Sequence, residues 1–228
     1  MIGSMLFGEL EFVKETLPFW KDLDAGQKRF MEVKLIERCY GQGQNIHNGE
    51  DCTGLLLVKN GQLRSFILSE SGKEITLFRL FERDVCILSS SCMMRNITFD
   101  IHIEAEKNSE ILIMPAGVFK QLSDANPAVK DFQTEIISAR LSDVMWVMEQ
   151  VVFMSMDKRL ATFLLEQSSI EGSDELTITH ETIARNMGTA REVVSRMLKY
   201  FENEGLVALT RGRITLTDRK RLMKCAVD

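Results

Sequence analysis

Arg191, Glu192, Ser195, Arg196 and Lys199 fall within nine positions and alternate with Val194, Met197, Leu198 and Phe201. On a helix the apolar set gathers on one side and the polar set on the other. A guanidinium can pair with both major-groove acceptors of guanine, a carboxylate can accept from cytosine N4, and a serine hydroxyl can do either. A helix that shows such groups outward near its N-terminus has the geometry that enters a major groove.

Other residues must hold that helix in place. Thr179 can cap a preceding helix by accepting from free backbone N–H groups, and Glu181 lies in its first turn, where the helix dipole favours an acid. Ile183, Ala184 and Met187 form the inward face of that helix, and Gly188 supplies the turn. Downstream, 208–211, Gly212 and 213–216 read as a two-stranded wing. Its Arg211 and Arg213 are placed for phosphate contacts, which position a protein without reading sequence. The alternative is a winged helical domain used for protein contacts.

The charge distribution agrees with a polyanion partner. From Thr182 onward there are ten Lys or Arg against five Asp or Glu, whereas the whole chain carries −5, so residues 1–181 carry −10. A basic tail on an acidic body suits phosphate contact with little indiscriminate binding; a merely solvated tail would show the same asymmetry. With 45% apolar and 27% charged residues, the 228-residue chain is globular and long enough for two domains. Runs such as Leu55–Val58 and Ile111–Pro115 are too short to span a bilayer. Glu9, Glu11, Lys14 and Glu15 stand where a secretory signal would be apolar. The expectation is a cytoplasmic protein whose five cysteines are mostly reduced.

Residues 1 to about 30 read as helical with a break at Pro18. Short apolar runs follow at 35–40, 54–58, 63–68, 75–80, 84–88, 99–105 and 110–114, separated by turn signals. That spacing indicates a sandwich or small barrel, and Asn60-Gly61 is its sharpest hairpin signal. Asn126-Pro127 opens a long helix, with proline at a first position where its missing N–H costs nothing. Ile137, Leu141, Val144, Met148 and Val151 follow in steps of 4, 3, 4 and 3, a heptad seam. A long helix between two compact domains has little else to pack on, which favours a symmetric dimer seam over packing on its own domain. A helix at 156–167 and a short strand at 176–178 lead into the basic segment.

The string Thr179-x8-Gly188-x2-Arg191-Glu192-x2-Ser195-Arg196-Met197-Leu198 resembles the DNA-binding segment of the cyclic-AMP receptor / fumarate-nitrate regulator (Crp/Fnr) superfamily. The resemblance covers nearly the whole chain. It implies an α+β fold: a cyclic-nucleotide-binding-like β-barrel (jelly roll) over 1–125, a dimerisation helix over 126–155, and a winged helix-turn-helix over 156–228. It implies a homodimeric transcription regulator on an inverted-repeat operator, with double-stranded DNA and RNA polymerase as partners and no membrane. Arg191, Glu192, Ser195 and Arg196 become the expected base-contacting residues, with Thr179, Thr189, Lys199, Arg211 and Arg213 completing the DNA-facing set. Glu-x-x-Ser-Arg resembles the anaerobic-regulator branch, and Arg before Glu resembles the cyclic-AMP branch. Two departures stand out. Ala190 replaces the Ser or Thr that usually precedes the arginine, removing a cap unless Thr189 substitutes. Thr182 stands where Glu is frequent, so a full capping box is absent.

The barrel stretch Ile46-x2-Gly49-Glu50, Val58-x2-Gly61-x-Leu63-Arg64 and Gly72-x-Glu74 resembles a cyclic-nucleotide-binding domain. Members that bind cyclic AMP carry a Gly-Glu pair and then Arg-Ser or Arg-Thr; here those positions fall near Ile87-Leu88 and Phe99-Asp100. An aspartate repels phosphate and no buried cation is expected in its stead, which disfavours cyclic AMP. The effector is otherwise unknown. Cys86, Ser89, Ser90, Ser91, Cys92 and Phe99 form a candidate effector pocket. Cys86 and Cys92 also raise a redox or metal reading, with zinc or an iron–sulfur cluster as options. No tight C-x2-C pair and no N-terminal cysteine cluster accompanies them, and free Cys packs readily as a small hydrophobe. His47, His102 and His180 lack metal-ligand spacing, so no metal site is assigned, and His102 is expected to face solvent. The chain has no Gly-rich phosphate loop, no G-x-S-x-G turn and no H-E-x-x-H pair, so it is read as a non-enzyme. A protein-binding adaptor is the remaining rival.

Overall fold

Pro18 and Asp24 cut the N-terminal stretch into three helical pieces: α1 (Phe7–Thr16), a 3-10 turn (Pro18–Asp22) and α2 (Ala25–Lys34). Asp24 caps α2 by accepting from Gln27 N at 2.8 Å, and the Gln27 side chain accepts from Asp24 N at 3.1 Å. This reciprocal pair satisfies two amides that a helix end otherwise leaves bare. The computed structural model describes residues 7–49, 52–93 and 100–227, with the side chains of 7, 8 and 91–93 left aside.

Eight strands follow: β1 (Ile36–Tyr40), β2 (Asn45–His47), β3 (Leu55–Asn60), β4 (Leu63–Leu68), β5 (Glu74–Leu80), β6 (Val85–Cys86), β7 (His102–Ala105) and β8 (Ser109–Met114). They form two four-stranded sheets in the orders β1-β8-β3-β6 and β2-β7-β4-β5. The paired registers are antiparallel, with Leu56 opposite both Ile113 and Cys86, and Ser65 opposite Ile103. Leu55 to Val58 are entirely buried, so β3 lies at the centre of the core. Around it pack Val13, Leu17 and Met31 from the N-terminal helices, and Phe119 and Leu122 from α3 (Ala116–Ala125). Phe132 meets Phe19 edge to face at 5.0 Å between ring centroids.

Asn60-Gly61 does not make the expected hairpin. β3 and β4 lie in different sheets, and the turn carries the chain from one to the other. Gly61 has φ +98°, and a Cβ there would lie 2.3 Å from Ser109 Oγ and 2.4 Å from Asn108 O. Glycine is needed at that point for close backbone approach as well as for its φ. His102 also departs from expectation: it stacks on Phe66, ring centroids 5.3 Å apart, and is only half-exposed.

α4 (Pro127–Phe153) runs unbroken for 27 residues, about 40 Å at the usual rise. Asn126 Oδ1 accepts from Ala128 N at 3.0 Å to start it. The expected seam divides: Ile137 and Val144 pack on the core just described, whereas Leu141, Met148 and Val151 are exposed, Leu141 by 60%. Met145, Trp146, Val152 and Phe153 extend this exposed apolar set.

The contacts divide the chain into two compact units, Met1–Ile67 with Leu77–Val144, and Leu68–Thr76 with Met145–Asp228. The second contains α5 (Met156–Glu171), β9 (Glu175–Leu176), α6 (His180–Met187), α7 (Arg191–Asn203), β10 (Val207–Thr210), β11 (Arg213–Leu216) and α8 (Arg219–Val227). Its strands form a sheet in the order β10-β11-β9. Leu160, Leu164, Ile183, Val194, Leu198, Phe201 and Leu222 form its fully buried core.

Replacing Gly61 with Ala is expected to cost about 3 kcal/mol or more, from combined backbone strain and steric overlap. Urea unfolding of the two proteins measures this; an unchanged midpoint contradicts the close approach.

Candidate nucleic-acid interface

α6 and α7 meet through a glycine turn. Thr179 is the N-cap of α6 and its hydroxyl accepts from Thr182 N at 3.0 Å. The two threonine hydroxyls lie 2.8 Å apart, so Thr182 supports the cap without the usual glutamate. Gly188 ends α6 in the left-handed region at φ 65°. Ile183, Ala184 and Met187 are buried against α7 and its neighbours.

α7 begins at Arg191 with Ala190 as its N-cap, and no side chain caps it there. Ala190 is extended, at φ −85° and ψ 145°, the conformation a capping serine adopts. Val194, Leu198 and Phe201 have no accessible surface. The opposite side exposes Arg191, Glu192, Arg196 and Lys199, with Ser195 half-buried between them. Lys199 Nζ pairs with Glu202 at 2.6 Å. Arg191 and Arg196 have no ion-pair partner among the described residues.

The wing lies beside the start of α6. Arg211 and Arg213 are both exposed, and Arg213 forms an ion pair with Glu175 of β9. A recess of about 380 Å³ is lined by Thr179, His180, Glu181, Arg191, Thr210 and Arg213 among others. It brings together Thr179, Arg191 and Arg213 from three elements expected to face DNA. His180 belongs to this recess, and its Nδ1 lies 2.8 Å from Ser195 Oγ. Its spacing of fifteen residues from Ser195 gave no local signal of that contact. Thr189 continues the turn through its backbone, donating to Ala184 O at 3.1 Å.

In the first unit, the candidate effector residues that are described are all buried. Ser89 donates its hydroxyl to Gly54 O at 2.6 Å, and its carbonyl accepts from Thr53 N and Gly54 N. Ser90 is buried with its hydroxyl unpartnered among the described residues. Cys86 is a free thiol, and burial pushes its pKa up. Phe99, and the side chains of Ser91 and Cys92, lie outside the described residues. Cys39 and Cys225 are also free, whereas Cys52 is disulfide-bonded. Among the described residues, no three His, Cys, Asp or Glu side chains gather as a metal cage.

The barrel does bury a cation, in β4 rather than at the cassette position. Arg64 is 1% exposed, donates from Nε to Glu104 at 2.9 Å and lies 4.1 Å over the Phe66 ring. Its charge is matched by that carboxylate, since an unmatched one would be too costly to bury. Arg140 of α4 lies 4.6 Å over the Phe78 ring and pairs with Asp143 at 2.8 Å. Ile87 and Leu88, beside Cys86, are buried apolar side chains.

A jelly-roll sandwich, a long helix and a winged helix-turn-helix with arginines outward define a DNA-binding transcription regulator. Residues 158–225 match the Crp-like helix-turn-helix domain. A solved Crp/Fnr-family structure from Eubacterium rectale is 51% identical, covers 94% of this chain and 100% of its own, and superposes with a TM-score of 0.91. The chain belongs to the Crp/Fnr family of transcription regulators. It is similar to the global nitrogen regulator of Synechococcus elongatus, 26% identical over 88% of this chain and 91% of that one. It is also similar to the cAMP-activated global transcriptional regulator of Pasteurella multocida, 25% identical over 82% and 91% of the two chains. These relatives are regulators, not enzymes. Among the described residues, no helix is long and apolar enough to cross a membrane.

Ala190→Ser is expected to stabilise the protein by about 1 kcal/mol by supplying the missing cap, read as a higher denaturation midpoint. In native protein, iodoacetamide should modify Cys39 readily and spare Cys86, because the thiolate is the reactive form and burial disfavours it. Peptide mapping checks this, and rapid labelling of Cys86 contradicts its burial.

Proposed function

We propose that this protein binds an inverted-repeat operator as a homodimer, under control of a signal other than cyclic AMP received in its N-terminal domain. The observation that carries the reading is the two-faced α7: Val194, Leu198 and Phe201 are fixed in the core, so Arg191, Glu192, Ser195 and Arg196 point outward together. Arginine pairs with guanine, glutamate accepts from cytosine, and the wing's Arg211 and Arg213 add phosphate contacts.

The exposed apolar face of α4 supports a second copy as partner, since exposed apolar patches of this kind mark interfaces. A symmetric pair places two recognition helices on half-sites about one duplex turn apart. The working division is a sensor over 1–125, a dimer helix over 126–155 and a DNA-binding domain over 156–228. A signal in the sensor shifts the packing of α4 around 141–151 and re-aims the two α7 helices. The regulator acts in the cytoplasm and works with RNA polymerase. Cyclic AMP is disfavoured because buried Ile87 and Leu88 offer nothing to a ribose hydroxyl. Cys86 is a poor redox trigger while its thiol is held neutral.

Selection from a randomised duplex pool is expected to return a two-fold symmetric motif. Arg196→Ala should then cost about 1–3 kcal/mol in discrimination at one base pair of each half-site. Undiminished discrimination defeats the assignment. Leu141→Glu combined with Met148→Glu should sediment as a monomer and lose the benefit of the second half-site. A dimer that persists places the interface elsewhere. Added cyclic AMP should leave the melting temperature unchanged, because a ligand that binds the native state raises it with concentration.

A further inference from the structure

His180 is the first residue of α6, and its Nδ1 meets Ser195 Oγ of α7 at 2.8 Å. We propose that His180 is a specificity-determining positioning residue: it dictates whether Ser195 offers DNA a lone pair or a proton. The proposal rests on the DNA-reading role of α7.

A serine hydroxyl has one proton to give and two lone pairs to offer. When the imidazole is neutral with its proton on Nε2, Nδ1 accepts from the Ser195 O–H. The hydroxyl proton is then spent inside the protein, and the oxygen presents lone pairs outward. Such an oxygen selects a base donor, cytosine N4 or adenine N6. When the imidazole is cationic, Nδ1–H donates to Oγ. The hydroxyl proton is released to find an acceptor, guanine O6 or N7 or thymine O4. One proton gained by the imidazole therefore exchanges the class of base preferred at one position.

The surroundings favour the neutral ring. His180 is half-buried, and burial, then Arg191, hold its pKa below the ordinary histidine value. Its place at the positive end of α6 acts in the same direction. Around the recess the charged groups are Arg191 from α7, Arg213 from β11 and Glu181 from α6. Glu175 of β9 pairs with Arg213 and offsets part of that guanidinium.

The test uses full-length protein and the motif that the wild type selects. Ser195→Ala identifies the base pair read by Ser195 as the one whose preference it loses. Four duplexes differing only there are then titrated by fluorescence anisotropy. At about pH 8 the wild type should prefer cytosine or adenine by roughly tenfold. His180→Leu should flatten that preference while leaving the other positions of the motif unchanged. His180→Asn, whose Oδ1 can accept at similar reach, should retain it. Ser195→Ala combined with His180→Leu should lose no more than either change alone. Lowering the pH to about 5, across the histidine range, should move the wild-type preference toward guanine or thymine and leave His180→Leu unmoved. The proposal is overturned if His180→Leu keeps the preference, weakens all four duplexes equally, or if the wild-type preference ignores pH. The pH arm needs no variant to fold. A wild type that selects no motif sinks the DNA-reading assignment itself, and a motif insensitive to His180 sinks only this proposal.

Discussion

Everything the second unit presents depends on α7 being held on one side. Val194, Leu198 and Phe201 are spaced four and three apart and have no accessible surface. Each buried side chain of this kind contributes about 1.5–3 kcal/mol relative to exposure. Rolling the helix to re-aim Arg191 or Arg196 would bring at least one of the three into water. The outward groups therefore have a fixed bearing, although their own side chains are long. The start of α7 relies on this packing all the more because Ala190 supplies no cap. α6 is built differently: Thr179 and Thr182 secure its first turn, and Gly188 ends it so that α7 can begin at once.

The first unit obeys a related constraint, with apolar residues on both faces of its central strand. β3 is wholly buried from Leu55 to Val58 because helices pack on the side that the second sheet does not cover. Two of the polar groups drawn in with it are matched. Arg64 holds Glu104, and Ser89 ties β6 and the following turn to Gly54 through its hydroxyl and carbonyl. Ile87 and Leu88, which follow β6, join the same buried apolar core.

The elements with a single dominant period were legible from sequence. α7 showed its two faces in the spacing of Val194, Leu198 and Phe201, and α4 showed its start in Asn126-Pro127. What escaped was set by partners distant along the chain. Asn60-Gly61 announced a turn, and the turn is there, but residue types cannot say that the two strands enter different sheets. β2 is three residues long with an irregular register, too short to leave a pattern. α3 and α8 were missed: α3 follows directly on the apolar run of β8, and α8 is short and opens on three basic residues. The tie from Ser89 to Gly54 left no local signal because the two are thirty-five residues apart. His180 was expected near the start of the first helix of the DNA-binding segment, but its contact with Ser195 was hidden for the same reason.

The ion pairs on the basic face bear on how strongly salt opposes DNA binding. The outward set contains five cations, Arg191, Arg196, Lys199, Arg211 and Arg213. Two of them already hold carboxylates: Arg213 has Glu175 and Lys199 has Glu202. A cation that stays neutralised by its own protein displaces no condensed counterion from the duplex, and each one that does contributes about one unit to the logarithmic slope. The ionic-strength dependence of this face is thus shallower than its count of basic residues suggests. Glu175 and Glu202 lower the net positive charge of this face without removing a cation from it.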